Sequence, residues 1–336
     1  MHVGMATFFQ NPGRIRSDRD EWRLGLELAS AAEPLGFDSV WGAEHHFTDY
    51  HMCPNVAQLL TWVASRTTRV KLGSMVMVLP WHDPVRLAEE VCVLDHMSDG
   101  RVLFGVGRGL GRVEFDGFRL NMGESRQRFK ENLAAILDGL ETGVMRSDGE
   151  LYRQPPVDLR PAPFLSFRGR TYASSISPET TPILAAAGVG MLIIAQKPWE
   201  TIEADVAAYR ELYRELNGEE PPKPLLASWV AVHDDAAVAD DMFERWIMKY
   251  CESAMLHYQF DDMKLADVPG YEYYGKLAAR IAKHGKEEFN RFLGGLQVWG
   301  TPASVTEQLV ENVRRIDAAG VIGVFNYAGM PGDVAR

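Results

Sequence analysis

Residues Glu21–Gly42, with the sequence EWRLGLELASAAEPLGFDSVWG, contain a helix and a strand in succession. Apolar side chains recur at nearly helical spacing as far as Leu35, and Gly36 follows as a helix stop. Residues 38–42 then form a short apolar run typical of a strand. A similar run, Val3–Phe9, precedes the helix, so this part of the chain is predicted to fold as strand, helix and strand.

The same alternation continues along the chain. Further strands are predicted at residues 70–79, 102–106, 171–175, 191–195, 225–232 and 323–326, with helical stretches between them. About eight strand–helix repeats are typical of an α/β fold of the TIM (β/α)₈ barrel type, and an open doubly wound sheet is the alternative. Residues 1–336 are predicted to form one barrel domain. Ten residues follow Asn326, so the usual closing helix is either absent from this sequence or replaced by an unusual closure.

Two segments are too long for plain loops. Residues 145–163 are polar and rich in proline, and residues 234–292 are charged, aromatic and mostly helical in pattern. Long insertions after barrel strands lie over the C-terminal face, where active sites are found. Both segments are therefore predicted to be pocket walls or lids, with 234–292 as a helical insertion on the substrate side. An outer packing or dimer surface is the alternative for the second segment.

The composition excludes several classes of function. The net charge of −11 argues against binding to a nucleic acid backbone, which needs a basic surface. The chain contains no apolar stretch of about 18 residues, so no membrane span is predicted. Three widely spaced cysteines indicate neither a disulfide framework nor a metal cluster, and residues 1–9 do not resemble a secretory signal. A cytoplasmic protein is predicted.

The end of the second strand carries a concentrated set of titratable groups, Glu44-His45-His46-Phe47. Neighbouring side chains in an extended segment point to opposite sides, so one of the two histidines is expected to face a pocket. Imidazole titrates near neutrality and can take or give a proton during catalysis. A metal site would need a third ligand such as His51 or His82, whose spacing is not fixed, so no metal is predicted. A packed, hydrogen-bonded histidine pair is the other alternative.

Two further features together predict a phosphate site. Glycines surround Arg108 in the segment 105–111, where they allow close backbone approach and the guanidinium offers two parallel donors. After the fifth strand, Ser174-Ser175-Ile176-Ser177-Pro178-Glu179-Thr180 is typical of a helix N-terminus, which binds anions through free N–H groups. Plain helix capping explains the second feature alone, whereas Arg108 makes a phosphate site the better interpretation.

These motifs together resemble the bacterial luciferase family of flavin-dependent monooxygenases. The resemblance extends over residues 3–140, 171–195 and 299–326, and its most specific pieces are 44–47, 79–86 and 94–101. It implies a barrel that holds reduced FMN at its C-terminal face. It also implies reaction with O₂ to a flavin C4a-peroxide, which would oxygenate a small apolar substrate such as an aldehyde or ketone.

The resemblance also implies roles for single residues. His45 corresponds to the first histidine of the family motif, which is essential for the chemistry, and would transfer protons. Arg108 would hold the FMN phosphate, Met75-Val76 falls where the family has a non-proline cis peptide, and Glu114 matches an acidic position near the flavin. The remaining predicted cofactor-binding residues are Gly107, Gly109, Leu110, Ser174, Ser175, Ser177 and Thr180. Gly107 and Ala195 replace a luciferase cysteine and tryptophan, so light emission from a long aldehyde is not implied.

The expected partners follow from the same resemblance. The chain has no nicotinamide site, so a separate flavin reductase would supply reduced FMN, and members of the family usually form dimers through helices beside strands two and three. The alternative function is a deazaflavin (F420)-dependent dehydrogenase or reductase on the same barrel. A non-catalytic subunit like the luciferase β chain is a third reading, but that subunit lacks the histidine that His45 provides here.

Overall fold

The computed structural model describes residues 1–174 and 180–336. The strands are β1 (His2–Thr7), β2 (Ser39–Gly42), β3 (Lys71–Ser74), β4 (Met77–Val78), β5 (Val102–Gly107), β6 (Val144–Asp148), β7 (Arg153–Asp158), β8 (Thr171–Ser174), β9 (Gly190–Ile194), β10 (Leu225–Val232), β11 (Val298–Gly300) and β12 (Gly320–Val324). The helices are α1 (Asp18–Ala31), α2 (Val56–Ala64), α3 (Pro84–Met97), α4 (Arg112–Phe118), α5 (Ser125–Thr142), α6 (Thr181–Ala187), α7 (Trp199–Asn217), α8 (Ala236–Met242), α9 (Met248–Tyr258), α10 (Glu272–His284), α11 (Lys286–Gly295), α12 (Pro302–Arg315) and α13 (Gly332–Ala335).

Parallel strands form a closed barrel. Within the described ranges, eight strand positions follow the order β1, β2, β3, β5, β8, β9, β10 and β12, and β12 pairs back with β1. The short strand β4 takes the position of β3 further along the barrel and pairs with β5. Strand β11 pairs in parallel with the last residues of β10 and is not one of the eight barrel positions. The prediction of a TIM barrel is therefore confirmed, and the open sheet is excluded because an open sheet would have two unpaired edges.

The strand boundaries differ from the sequence pattern at two places. The predicted strand 70–79 is interrupted at Met75 and Val76, whose peptide bond is cis. The eighth strand starts at Gly320 instead of residue 323, because Gly320 lies opposite His2 and Leu225 in the two neighbouring strands. A Cβ atom at Gly320 would collide with the His2 backbone, so this position requires glycine. Glycine has no apolar side chain, and the apolar pattern that predicts a strand is therefore weak at residue 320.

Trp41 fills much of the barrel interior. Its ring is fully buried, and its indole N–H donates to the Ser39 hydroxyl at 2.7 Å. Gly4 and Gly73 lie on the two neighbouring strands, and a Cβ atom at either position would collide with the Trp41 ring or Ser39. The barrel interior is therefore a packed core at this level, and the candidate ligand site is expected at the C-terminal end of the strands.

Residues 145–163 do not form a pocket wall. They contain the antiparallel hairpin β6–β7, and the Glu131 carboxylate on α5 accepts backbone N–H bonds from Leu151 and Tyr152 at 2.9 and 2.8 Å. The prediction of a wall or lid is wrong for this segment because it follows helix α5 instead of a barrel strand. It packs on the outside of α5.

Residues 234–292 contain α8 to α11 and lie against the end of β10. The ring of Tyr250 on α9 stacks on Trp229 of β10, with 3.9 Å between centroids and 18° between planes. This contact fixes α9, which ends at Tyr258. The interpretation of 234–292 as an insertion within one barrel domain stays a prediction.

Three further features relate to the sequence predictions: the end of the chain, membrane spans and the cysteines. After β12 the chain forms the short helix α13. None of the helices in the described ranges combines the length and apolar character needed to cross a membrane. Cys53, Cys92 and Cys251 are buried free thiols.

Candidate active site

A cavity opens at the C-terminal ends of β2, β4, β5, β8 and β9. Among the described residues, the predicted site residues that line it are His45, Met75, Val76, Arg108, Gly109, Leu110, Glu114, Ser174 and Thr180. Gly107 lies beside the cavity at the end of β5, next to Val76 and Ser174. Ser175 and Ser177 lie outside the described residues. The fold thus brings together residues that are far apart in the sequence.

His45 faces this cavity, and a buried carboxylate holds its ring. The Nδ1 atom lies 3.0 Å from Oε1 of Glu114, which also accepts the backbone N–H of His46 at 2.9 Å. An ionised carboxylate only accepts hydrogen bonds, so Nδ1 must carry the proton. In the neutral ring Nε2 is therefore the unprotonated nitrogen, which is the form of a general base.

Glu114 is shared between two histidines. Its other oxygen, Oε2, lies 3.4 Å from Nε2 of His257, and both side chains are almost completely buried. Burial alone would raise the pKa of Glu114, but His45 and His257 outweigh burial and lower the pKa to about 2. Burial lowers the pKa of His257, so its ring is neutral at pH 7, and its Nδ1 lies 2.8 Å from the Thr48 hydroxyl.

A tyrosine contacts the other nitrogen of His45. The hydroxyl of Tyr258 lies 3.2 Å from Nε2 of His45, and Tyr258 also lines the cavity. Burial raises the pKa of Tyr258 well above its usual value, so the phenol keeps its proton. Tyr258 therefore donates to the unprotonated Nε2 of His45.

His46 points away from His45 into a separate cluster. Its Nε2 atom lies 3.0 Å from the Glu44 carboxylate, which is also 2.8 Å from Nε2 of His82 and accepts the Val78 N–H at 2.8 Å. Burial raises the pKa of Glu44, but the bonds from His46 and His82 outweigh burial and lower it. The alternative of a packed, hydrogen-bonded histidine thus describes His46, and its partner Glu44 joins the end of β2 to β4.

His51 has a structural role. Its Nδ1 accepts the Phe9 N–H at 2.9 Å, and its Nε2 donates to the Ala43 carbonyl at 3.0 Å. Burial lowers its pKa well below the usual value, which suits a neutral ring. Within the described ranges, potential metal ligands do meet at His45, Glu114 and His257, whose ligand atoms lie within 4.8 Å of one another. Neither His51 nor His82 is the third member, and the absence of a metal stays a prediction.

Arg108 also lines the cavity. Its guanidinium stacks on the Tyr271 ring at 4.2 Å and donates to the Gly270 carbonyl at 2.7 Å. A guanidinium carries five N–H donors, so it can bind Gly270 and an anion at the same time. The aromatic face and the carbonyl fix its position, which favours binding of a phosphate.

Glycines on both sides of Arg108 allow close packing of the protein. A Cβ atom at Gly107 would collide with Val76 and lie 3.0 Å from Oγ of Ser174. Gly109 has a φ of +84°, and a Cβ atom there would lie 2.9 Å from Val78. The two glycines therefore let the end of β5 pack against Val76 and Val78, whose side chains line the cavity.

Comparison with known proteins agrees with this geometry. The profile of the luciferase-like monooxygenase family matches residues 1–318. The chain belongs to this family. It is 31% identical over 303 residues to the alkanal monooxygenase alpha chain of Aliivibrio fischeri, an alignment that covers 86% of this chain and 82% of that relative.

Two solved structures have the same fold as this family member. One is the oxygenating constituent of 3,6-diketocamphane monooxygenase from Pseudomonas putida in complex with FMN, with a TM-score of 0.74, 19% identity, and coverage of 97% of this chain and 92% of that one. The other is an F420-dependent secondary alcohol dehydrogenase in complex with an F420–acetone adduct, with a TM-score of 0.66, 16% identity, and coverage of 96% and 92%.

Sequence reasoning missed the roles of His257 and Thr48 and gave Tyr258 no specific position. In the sequence, Tyr258 is one of several aromatic and methionine side chains in 234–292, and such a composition fits either an apolar substrate or a helix core. Tyr250, Met255 and Phe260 are buried in the core, whereas Tyr258 lines the cavity. No local pattern separates these side chains, because only the packing of α9 on the barrel decides which of them reaches His45.

Proposed function

We propose that the protein is a two-component, FMN-dependent monooxygenase. It takes reduced FMN from a separate flavin reductase, uses O₂, and oxygenates a small apolar organic substrate such as an aldehyde or ketone. The observation that carries the proposal is His45, which faces the cavity of a luciferase-like barrel with Nδ1 held by Glu114. Family membership supports the same chemistry.

The residues around the cavity fit FMN. Arg108 would hold the phosphate, together with Ser174 and Thr180, which also line the cavity. The cis peptide of Met75 and Val76 lines the cavity with Gly109 and would contact the isoalloxazine ring, and Gly107 packs behind Val76. Leu110 and Glu114 also line the cavity and would contact the cofactor. Ser175 and Ser177 stay predicted partners of the phosphate.

Bound reduced FMN would supply the two electrons that place one atom of O₂ in the substrate and release the other as water. The protein residues would move the protons. His45 would accept or donate a proton at Nε2, because Glu114 keeps the proton of the ring on Nδ1. Glu114, which stays ionised, would stabilise the ring when it becomes positively charged.

The test combines the protein with FMN, NADH, a generic flavin reductase and ¹⁸O₂, and screens aldehydes, ketones and other apolar compounds by mass spectrometry. Incorporation of one ¹⁸O atom into a product that depends on the protein is expected. The control replaces the protein by a matched amount of albumin, since free reduced FMN also produces hydrogen peroxide. If no compound in the panel acquires the label although reduced FMN binds, the proposed oxygenation is wrong.

The second candidate is an F420-dependent dehydrogenase, favoured by the fold shared with the secondary alcohol dehydrogenase. Such an enzyme transfers a hydride and needs no oxygen. Binding of F420 and its reduction by secondary alcohols under anaerobic conditions would identify this function. Tight FMN binding without F420 reduction would exclude it.

Replacing Arg108 with alanine is expected to weaken FMN binding by roughly 10- to 150-fold. A charge-assisted bond to a phosphate contributes about 1.5–3 kcal/mol, which corresponds to this range. Titration calorimetry with FMN measures the effect. The control, Arg128→Ala, also removes one guanidinium. Arg128 lies on α5 and pairs with Glu124, so this substitution is expected to leave FMN binding nearly unchanged. Equal affinities for the two variants would contradict a phosphate site at Arg108.

We also propose a cytoplasmic homodimer that forms through the helices beside β2 and β3. Val93 and Met97 on α3 are exposed, as are the nearby Phe164 and Leu165, and together they make an apolar patch. Replacing Met97 with glutamate is expected to shift the protein from dimer to monomer in light scattering after gel filtration. Leu216→Glu, at an exposed position on α7, serves as the control. A Met97→Glu variant that stays dimeric would contradict this interface.

A further inference from the structure

The carboxyl end of α9 reaches the reaction centre of the barrel. Its last two residues, His257 and Tyr258, contact the His45 ring, with centroid distances of 4.8 and 5.8 Å. They lie more than 200 positions along the chain from His45, and the Tyr250–Trp229 stack holds their helix on the barrel. The 234–292 segment therefore supplies polar groups at the same place as the strand β2, in addition to apolar surface.

The hydrogen-bond directions around His45 follow from its partners. Glu114 can only accept, so it fixes the proton of the neutral ring on Nδ1, and Tyr258 then donates to Nε2 at 3.2 Å. When the ring becomes protonated, Nε2 turns into a donor, and the same phenol oxygen must accept. A tyrosine hydroxyl can do both, so this bond can reverse its direction without movement of either ring.

Tyr258 contacts both His45 and the cavity. Its side chain lines the cavity and contacts Nε2, which is the only nitrogen of His45 that Glu114 leaves for chemistry. The released oxygen atom must acquire two protons to leave as water. A proton that moves from Nε2 to that oxygen has a direct route through the phenol.

We propose that Tyr258 relays a proton between Nε2 of His45 and an oxygen atom in the cavity. The relay rests on the proposed monooxygenase function. In the transfer, the Tyr258 O–H bond breaks as its proton passes to the cavity oxygen, and a new O–H bond forms with the proton from Nε2 of protonated His45. The phenol ends unchanged, His45 ends neutral, and one proton has entered the cavity.

The neighbours of this pair fit a relay. Nε2 of His257 lies 3.4 Å from the second oxygen of Glu114, and the His257 ring is fixed by the Thr48 hydroxyl and by a stack on Tyr50 with 4.6 Å between centroids. The first oxygen of Glu114 bonds both Nδ1 of His45 and the backbone N–H of His46, which keeps the carboxylate beside His45. Burial keeps both Tyr258 and Tyr50 protonated at neutral pH, since it raises the pKa of each phenol.

The test compares Tyr258→Phe with Tyr213→Phe. Both substitutions remove one tyrosine hydroxyl, but Tyr213 lies on α7, where its hydroxyl is 3.4 Å from the Gly188 carbonyl, and its side chain does not line the cavity. Tyr258→Phe is expected to lower kcat for ¹⁸O incorporation by roughly 10²-fold, as loss of a proton-transfer group does, with nearly unchanged affinity for reduced FMN. Tyr213→Phe is expected to keep a rate close to that of the wild type.

A second measurement does not depend on catalysis. In ¹⁵N-histidine NMR spectra of the protein without cofactor, Tyr258→Phe is expected to shift the Nε2 resonance of His45 and to leave its protonated Nδ1 in place. His45→Gln assigns these resonances. An unchanged Nε2 resonance would overturn the contact, and a fully active Tyr258→Phe variant would overturn the relay. If the wild type forms no labelled product, the monooxygenase proposal fails and the relay fails with it.

Discussion

Replacing His45 with alanine is expected to lower the rate of product formation by roughly 10²- to 10⁴-fold, because it removes the proton-transfer group at the cavity. Binding of FMN should remain nearly intact, since the predicted phosphate contacts are made by Arg108, Ser174 and Thr180 and not by His45. The rate is measured as ¹⁸O incorporation with excess reductase, and binding by calorimetry. A large loss of rate together with retained binding separates a chemical role from a structural one.

His46→Gln is the matched control for this substitution. His46 belongs to the same motif, but its side chain bonds the Glu44 carboxylate instead of lining the cavity, and glutamine keeps a polar donor there. Its rate is expected to stay close to that of the wild type. If His45→Ala is as active as His46→Gln, the role assigned to His45 is wrong.

Replacing Glu114 with glutamine is expected to lower the free energy of unfolding by about 3 kcal/mol at neutral pH. The pKa of Glu114 falls from the ordinary value of 4.5 to about 2 in the folded protein, and each pKa unit corresponds to about 1.4 kcal/mol. A lowered pKa stabilises the folded state above pH 4.5, and this contribution is lost as the pH falls towards 2. The difference between wild type and variant should therefore shrink over that range.

Urea unfolding at neutral pH and at several acidic pH values measures this difference. Glu27→Gln is the control, because Glu27 forms an exposed ion pair with Arg336, and exposed pairs contribute little to stability. A Glu114→Gln variant with the stability of the wild type at neutral pH would contradict a buried carboxylate that two histidines stabilise.

The barrel could be predicted from the sequence because its signals are local. Apolar spacing and a glycine stop between Glu21 and Gly42 indicate a helix and a strand, and the same pattern repeats. The errors occur where the backbone departs from regular pairing. The peptide between Met75 and Val76 interrupts one strand, and Gly320 begins another without a hydrophobic side chain.

The candidate site was predictable only in part. His45 and Arg108 follow directly after strands, and the barrel rule places such residues at one face. The rule and the alternation along the chain cannot choose between His45 and His46. The family resemblance selects His45, and the structure places His45 at the cavity on Glu114 and His46 on Glu44. Tyr258 follows no strand, so its position depends on how α9 packs on Trp229.

The arrangement of α9 limits how relatives of this protein can exchange parts. A chimera that receives the 234–292 segment of another barrel would acquire a new wall for its substrate. It would lose the hydroxyl that contacts Nε2 of His45 unless the donor helix ends in a tyrosine at the position of Tyr258. Grafts that keep His257 and Tyr258 should preserve turnover while they alter substrate preference. Selection for new substrates can therefore act on this segment away from His257 and Tyr258, from Tyr250, which holds α9 on the barrel, and from Gly270 and Tyr271, which hold Arg108.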